Sequence, residues 1–170
     1  MATTYTLISS NVLASSAASV TFSSIPATFT DLVLRISGRT DQSTVSSGLR
    51  LTFNGTNTAS NRQLQGSGSG VASASATGGS LQVAGNTNGA TSTADTFSSQ
   101  EIYIPNYTSS TVKPFSTFSV QENNITQAFI DLFANLQNET QAITSIVATI
   151  SSGNLFVSGS SFYLYGISNA

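Results

Sequence analysis

The side chains able to move a proton or hold a metal ion are few: the carboxylates Asp31, Asp41, Asp95, Glu101, Glu122, Asp131 and Glu139. Histidine and cysteine are absent. Their absence closes the Ser-His-Asp and Cys-His routes to an activated nucleophile. It also removes the commonest general base and metal ligand and excludes zinc sites built from His and Cys. Two carboxylates can hydrolyse a glycoside when they stand about 5–9.5 Å apart across the sugar. No pair here is marked by its neighbours, and tryptophan, a common sugar platform, is missing. These acids read as solvated strand ends and turns. Asp41 and Asp95 stand singly in polar loops without EF-hand spacing, so no Ca²⁺ loop is legible. Gly66-Ser67-Gly68-Ser69-Gly70 has neither the Lys nor the following helix of a phosphate loop and reads as a linker tip. The residue types therefore predict a protein that is not an enzyme, with no catalytic residues, no metal site and no cofactor.

The tyrosines offer a different chemistry. Tyr103, Tyr107, Tyr163 and Tyr165 fall near strand ends or on outward faces. Tyrosine combines apolar area with a hydroxyl, which suits contact surfaces. These four are the candidate interface or binding surface, either for packing against the core or a subunit, or for a sugar or protein ligand.

The elements that would position them alternate with period two. In Asp31 to Ser37, Leu32, Leu34 and Ile36 share one face while Arg35 and Ser37 take the other, the pattern of a half-buried strand. Gly48 to Asn54 repeats it with Leu49, Leu51 and Phe53, and Asn54-Gly55 follows as a turn signal. Ser19 to Ser23 and Glu101 to Ile104 alternate as well, each ended by a proline. Pro114 to Gln121, Ala142 to Ile150, Phe156-Val157 and Ser161 to Ile167 continue the series. In the last of these, Phe162 and Leu164 face one way and Tyr163, Tyr165 and Ile167 the other, which predicts a central strand or one covered by a neighbour. Thr126 to Gln137 fits a helical stripe through Ala128, Phe129, Leu132, Phe133 and Leu136. Its aromatic and branched residues and its β neighbours favour a strand.

Many short strands with regular turn signals predict an all-β, antiparallel two-sheet sandwich, jelly-roll-like, with about eight to ten strands. The chain, 1–170, reads as a single domain. Gly66 to Thr96, rich in Gly, Ser, Ala and Thr, departs from the pattern and contains one weak strand signal at Ser80 to Ala84. It is expected to be a long Gly/Ser-rich loop, either a hairpin with a floppy tip or an arm reaching a neighbouring subunit or ligand.

Composition sets the surface. Charged residues make up 7%, against about 25% in an ordinary globular chain, and the formal net charge is −2. Neutral Ser, Thr, Asn and Gln solvate the exterior instead. Weak self-repulsion promotes association, so life inside an assembly is expected. The five basic residues are scattered, giving no nucleic-acid footprint. Apolar runs fall short of the roughly 20 residues that cross a bilayer, so no membrane insertion is expected. Met1 to Asn11 reads as a first strand, without the pattern of a signal peptide. The sequons at Asn54, Asn106, Asn124 and Asn138 read as incidental in so Asn-, Ser- and Thr-rich a chain.

Several stretches also carry a resemblance. They are Tyr5-Thr6-Leu7-Ile8 leading to Ser19-Val20-Thr21-Phe22-Ser23-Ser24-Ile25-Pro26, then Thr30-Asp31-Leu32-Val33-Leu34-Arg35, and Phe162-Tyr163-Leu164-Tyr165-Gly166-Ile167. Leu51-Thr52-Phe53-Asn54-Gly55 and Glu101-Ile102-Tyr103-Ile104-Pro105-Asn106-Tyr107 lie between them. In this order and spacing, over nearly the whole chain, the set resembles small virion structural proteins of tailed bacteriophages, particularly those infecting cyanobacteria and other aquatic bacteria. The resemblance implies a part of the particle exterior, capsid or tail, and transfers no catalytic residues. It implies a capsid decoration or cement protein, a trimer that clamps major capsid subunits or other virion proteins. The alternative is a tail-fibre or tail-tip module that binds a host glycan or protein.

Overall fold

The alternation becomes strands almost wherever it occurs. The computed structural model describes residues 4–56, 59–68, 70–79, 83–124 and 128–168. Among these residues the regular structure is entirely β, in twelve strands. They are β1 (Tyr5–Val12), β2 (Ser19–Phe22), β3 (Asp31–Gly38), β4 (Ser46–Phe53), β5 (Ala59–Ser67), β6 (Gly70–Gly79), β7 (Gly85–Asn88), β8 (Ser98–Ile104), β9 (Lys113–Glu122), β10 (Ala128–Gln137), β11 (Ile146–Ile150) and β12 (Ser161–Ile167). Eight form one sheet in the order β1-β12-β3-β8-β9-β10-β5-β6, and four form a second in the order β2-β11-β4-β7. Strand neighbours pair antiparallel throughout.

The two sheets face each other across an apolar layer, as a β-sandwich requires. The inward residues of β4 (Leu49, Leu51, Phe53) and β11 (Ile146, Ala148, Ile150) meet those of β3 (Leu32, Leu34, Ile36), β8 (Ile102, Ile104) and β12 (Phe162, Leu164). Register builds this layer in rows: Leu34 lies between Leu164 on β12 and Ile102 on β8. Burying each such side chain stabilises the fold by about 1.5–3 kcal/mol. Phe156 and Phe162 meet edge-on with ring centroids 5.0 Å apart. β12 is an interior strand, flanked by β1 and β3; its Phe162 and Leu164 are buried, while Tyr163 and Tyr165 on the other face are half-buried.

Several expectations change. Strands number more than the eight to ten expected, and they divide eight to four, so the jelly-roll order is not established. Gly66 to Thr96 is not one loop: it contains the last residues of β5, all of β6 and β7. Residues 80–82 of the weak signal there lie outside the described residues, and Val83 and Ala84 are not in a strand. The Gly/Ala/Ser alternation of β6 has no hydrophobic contrast, so period two is invisible in it. Phe156 forms isolated bridges to Ala17 and Thr40, where a strand was expected. Of the ambiguous stretch, residues 126 and 127 lie outside the described residues; the rest is β10, a strand whose two edges pair in register with β9 and β5. Asn54-Gly55 does turn, with φ of 50° and 84°.

Gly166 shows how tight the inner face is. Lying opposite Leu32 of β3, it is buried, and a Cβ added there would overlap the Phe29 ring. Gly166→Ala is therefore expected to cost about 1–3 kcal/mol through overpacking. A fall of several degrees in the thermal midpoint is the expected reading; an unchanged midpoint would show that the Phe29 contact is slack.

Candidate interaction face

The wing of the large sheet formed by β9, β10 and β5 has its polarity reversed. On β9, Phe115, Thr117, Ser119 and Gln121 face inward and are buried, while Ser116, Phe118 and Val120 face outward. On β10, Asp131, Phe133, Asn135 and Gln137 face inward, and Ile130, Leu132, Ala134 and Leu136 outward. Leu64 joins the outward set from β5, directly opposite Leu132. Ile130, Leu132, Leu64 and Phe118 are left 45%, 50%, 54% and 45% exposed.

Two aromatics set this register. The Phe115 ring packs on Phe53 with centroids 5.3 Å apart, and Phe133 is buried on the same inner face of β10. A strand's side chains alternate, so seating Phe115 inward takes Thr117, Ser119 and Gln121 in with it. Seating Phe133 inward does the same for Asp131, Asn135 and Gln137. The buried Asp131 carboxylate then accepts hydrogen bonds from three amides: Gln63 Nε2 at 2.7 Å, Gln65 Nε2 at 2.8 Å and Gln121 Nε2 at 2.9 Å. Around it, Gln100 Oε1, Thr117 Oγ1, Ser119 Oγ, Gln121 Oε1 and Asn135 Nδ2 are buried without a partner among the described residues. Beside the apolar core, the inner face of this wing is thus a polar seam.

Outside, the strands align their side chains in rows across the sheet. One row runs Tyr163, Arg35, Glu101, Phe118, Leu132, Leu64, Ser73 from β12 to β6. The neighbouring row runs Leu7, Tyr165, Val33, Tyr103, Ser116, Ala134, Arg62. An open groove of about 630 Å³ lies over the apolar part, between Phe118, Leu132, Leu64 and Ser73.

Tyr103, Tyr163 and Tyr165 all lie on this outer face, towards its other end. The Tyr165 ring meets Tyr5 edge-on at 6.3 Å, and the Arg35 guanidinium stands 5.9 Å from the centre of each. Arg35 also pairs with Glu101 at 2.9 Å, an exposed ion pair that adds little stability. The Tyr103 hydroxyl donates to Asp31 Oδ2 at 2.7 Å, while Asp31 Oδ1 accepts from the Asn106 backbone N–H at 2.8 Å. That bond to a carboxylate, with burial adding to it, raises the Tyr103 phenol above its ordinary pKa.

Tyr107 does not belong to the surface. It is fully buried; its hydroxyl donates to the Pro26 carbonyl and accepts from the Phe29 N–H. Sequence reasoning grouped it with the others because it follows the strand that Pro105 ends. It did not single out Phe118, Ile130, Leu132 or Leu64: Leu132 counted towards a helical stripe, and no strand was expected around Leu64.

Two further carboxylates hold backbone N–H groups. Asp41 Oδ1 accepts from the Leu155 N–H at 2.8 Å, and Glu139 Oε1 from the Gln141 N–H at 2.7 Å. Among the described residues no group of three or more His, Cys, Asp or Glu side chains could hold a metal ion. Lys113 is buried, its Nζ donating to the Ser109 and Thr111 carbonyls at 2.7 and 2.6 Å. Desolvation pushes its ammonium below the ordinary pKa, against the opposing charge of Glu139.

Residues 90–96, expected to be part of a loop, are held from both sides. Arg39 donates to the carbonyls of Ala90, Ser92, Thr93 and Thr96. Glu122 accepts from the Thr93 N–H at 2.6 Å, the Thr93 and Thr96 hydroxyls at 2.9 Å each, and the Asn124 N–H at 2.6 Å.

Compared with known proteins, the chain matches no family, no curated protein and no solved structure.

Glu122 yields a pH prediction. Burial opposes its charge, but the hydrogen bonds from Asn124, Thr93 and Thr96 outweigh that and lower its pKa from 4.5. A carboxylate lowered on folding contributes stability that is full above its unfolded pKa and is lost as pH falls through the folded value. Glu122→Gln is expected to cost about 1 kcal/mol at neutral pH, at the low end because solvent screens the site. Urea unfolding of both proteins should show that gap closing below pH 4.5; a gap independent of pH would count against the clamp.

Proposed function

We propose that this chain is a non-enzymatic structural protein of a bacteriophage particle's exterior, a decoration protein that clamps neighbouring major capsid subunits. The observation that carries the reading is the reversed wing, where Phe118, Ile130, Leu132 and Leu64 face solvent while Asp131 and a set of amides are buried. Contiguous apolar surface on a soluble chain marks a contact site. The charge-poor composition supports life within an assembly, and the resemblance of its strands to virion proteins supplies the setting.

The mechanism is mechanical. A flat, rigid sheet face docks on shell subunits by apolar contact, and each contact is modest. Several copies around one capsomer junction hold by avidity. Nothing in this action forms or breaks a covalent bond.

A second reading is favoured by one feature. The cluster of Tyr5, Tyr103, Tyr163 and Tyr165 with Arg35 and Glu101 combines ring faces and hydrogen-bonding groups on one surface. Such a surface suits a host glycan or protein and would make the chain a tail-fibre or tail-tip module.

Binding to particles that lack the protein separates the two. The decoration reading expects many copies on tailless, DNA-filled heads and a higher temperature of DNA release once they are bound. Leu132→Asp, an outward substitution, should leave the unfolding midpoint nearly unchanged and weaken head binding at least tenfold, or about 1.4 kcal/mol. A few copies lost with the tail, or unaltered DNA release, would overturn decoration; glycan binding abolished by Tyr163→Ala would support the fibre reading.

A further inference from the structure

We propose that β6 is a pairing edge, and that two copies of this chain join antiparallel along it about a twofold axis. A strand at a sheet edge presents unpaired N–H and C=O groups, and proteins that stay monomeric blunt such edges with short strands, bulges, charge or proline. The two sheets here have four edges. β2 and β7, the edges of the small sheet, have four residues each. β1, at one edge of the large sheet, is interrupted by a register shift between Leu7 and Ser9. β6, at the other edge, has ten residues and neither a charge nor a proline. Its pairing with β5 is regular from Gly70 to Ala76, with the shift confined to the far end. Three edges are blunted and one is not.

Nothing among the described residues covers the open edge. β6 packs substantially on β5 alone. Val71 is 80% exposed, and residues 72–77 are exposed on both faces of the strand. The hairpin arm therefore projects past the four-stranded sheet, with small side chains that obstruct neither face.

The strand's own sequence identifies the partner. Ala72-Ser73-Ala74-Ser75-Ala76 reads the same in both directions. A twofold contact brings each surface patch against its own copy, so it must be self-complementary. Centred on Ala74, an antiparallel pair sets Ala72 opposite Ala76 and Ser73 opposite Ser75, alanine against alanine on one face and serine against serine on the other. Cross-strand serine pairs can hydrogen-bond, and no charges face each other. The pairing uses up both β6 edges, so it stops at two. A threefold ring would need β6 to meet a different edge, and the remaining edges are short or shifted. The joined sheets would carry both copies' Phe118, Leu132 and Leu64 on one side.

This inference does not depend on the virion reading. The purified chain is expected to sediment as a dimer at micromolar concentration. The chain contains no cysteine, so Ala74→Cys would place one thiol per copy on the axis, and mild oxidation should cross-link it quantitatively. Ala74→Lys and Ala74→Glu should each be folded monomers by circular dichroism and sedimentation, and an equimolar mixture of the two should return to dimers. That rescue would not follow from a folding defect. A monomeric or trimeric parent chain, absence of the cross-link, or an unaltered Ala74→Lys dimer would overturn the pairing. Head binding by a monomer would remove the edge and leave decoration standing; a dimer that ignores heads would do the reverse.

Discussion

A β-strand cannot send two consecutive side chains to the same face, and this constraint organises the molecule. When the Phe115 ring packs on Phe53 at 5.3 Å, and Phe133 buries opposite Thr117, the remaining positions of β9 and β10 have no freedom. Asp131 goes in, so Ile130 and Leu132 go out. The polar seam and the exposed apolar face are two sides of one register, and a one-residue slip would exchange them.

The seam is sustained by amides. A buried carboxylate is costly unless its charge is met by hydrogen bonds or an opposite charge. Gln63, Gln65 and Gln121 meet that of Asp131 with three N–H donors. These donors come from β5 and β9, the strands on either side of β10, so the network also ties three strands to one another. The Asp131 carboxylate favours this register, because one that removed it from the three amides would leave a buried charge without partners. The wing thereby gains a fixed register even though its inner face has few hydrocarbon side chains.

The outer face is backed along its whole width by hydrogen-bonded strands, which fix the positions of its side-chain rows. The Arg39 and Glu122 clamps on residues 90–96 give the end of the sandwich the same fixity. The hydroxyl- and amide-rich exterior adds little electrostatic repulsion, so apolar patches and open edges decide which surfaces meet.

Much of the fold was legible in residue order. Leu32-Leu34-Ile36 and Leu49-Leu51-Phe53 alternate visibly, and each became a core-facing strand; Phe162 and Leu164 turned inward and Tyr163 and Tyr165 outward as their spacing required. For the four tyrosines core packing and surface contact both stood open; Tyr103, Tyr163 and Tyr165 lie on the outer face, and Tyr107 is core because the distant Pro26 carbonyl and Phe29 N–H receive its hydroxyl. β6 escaped notice because Ala and Ser differ too little in hydrophobicity to mark two faces. Local sequence, then, marked as strands most segments whose alternation carries hydrophobic contrast, since alternation is a property of neighbouring residues. Tertiary structure decided which face of β9 and β10 points inward. That choice depends on what lies opposite, the ring of Phe53 and the amides of Gln63 and Gln65, and no residue's immediate neighbours carry that information.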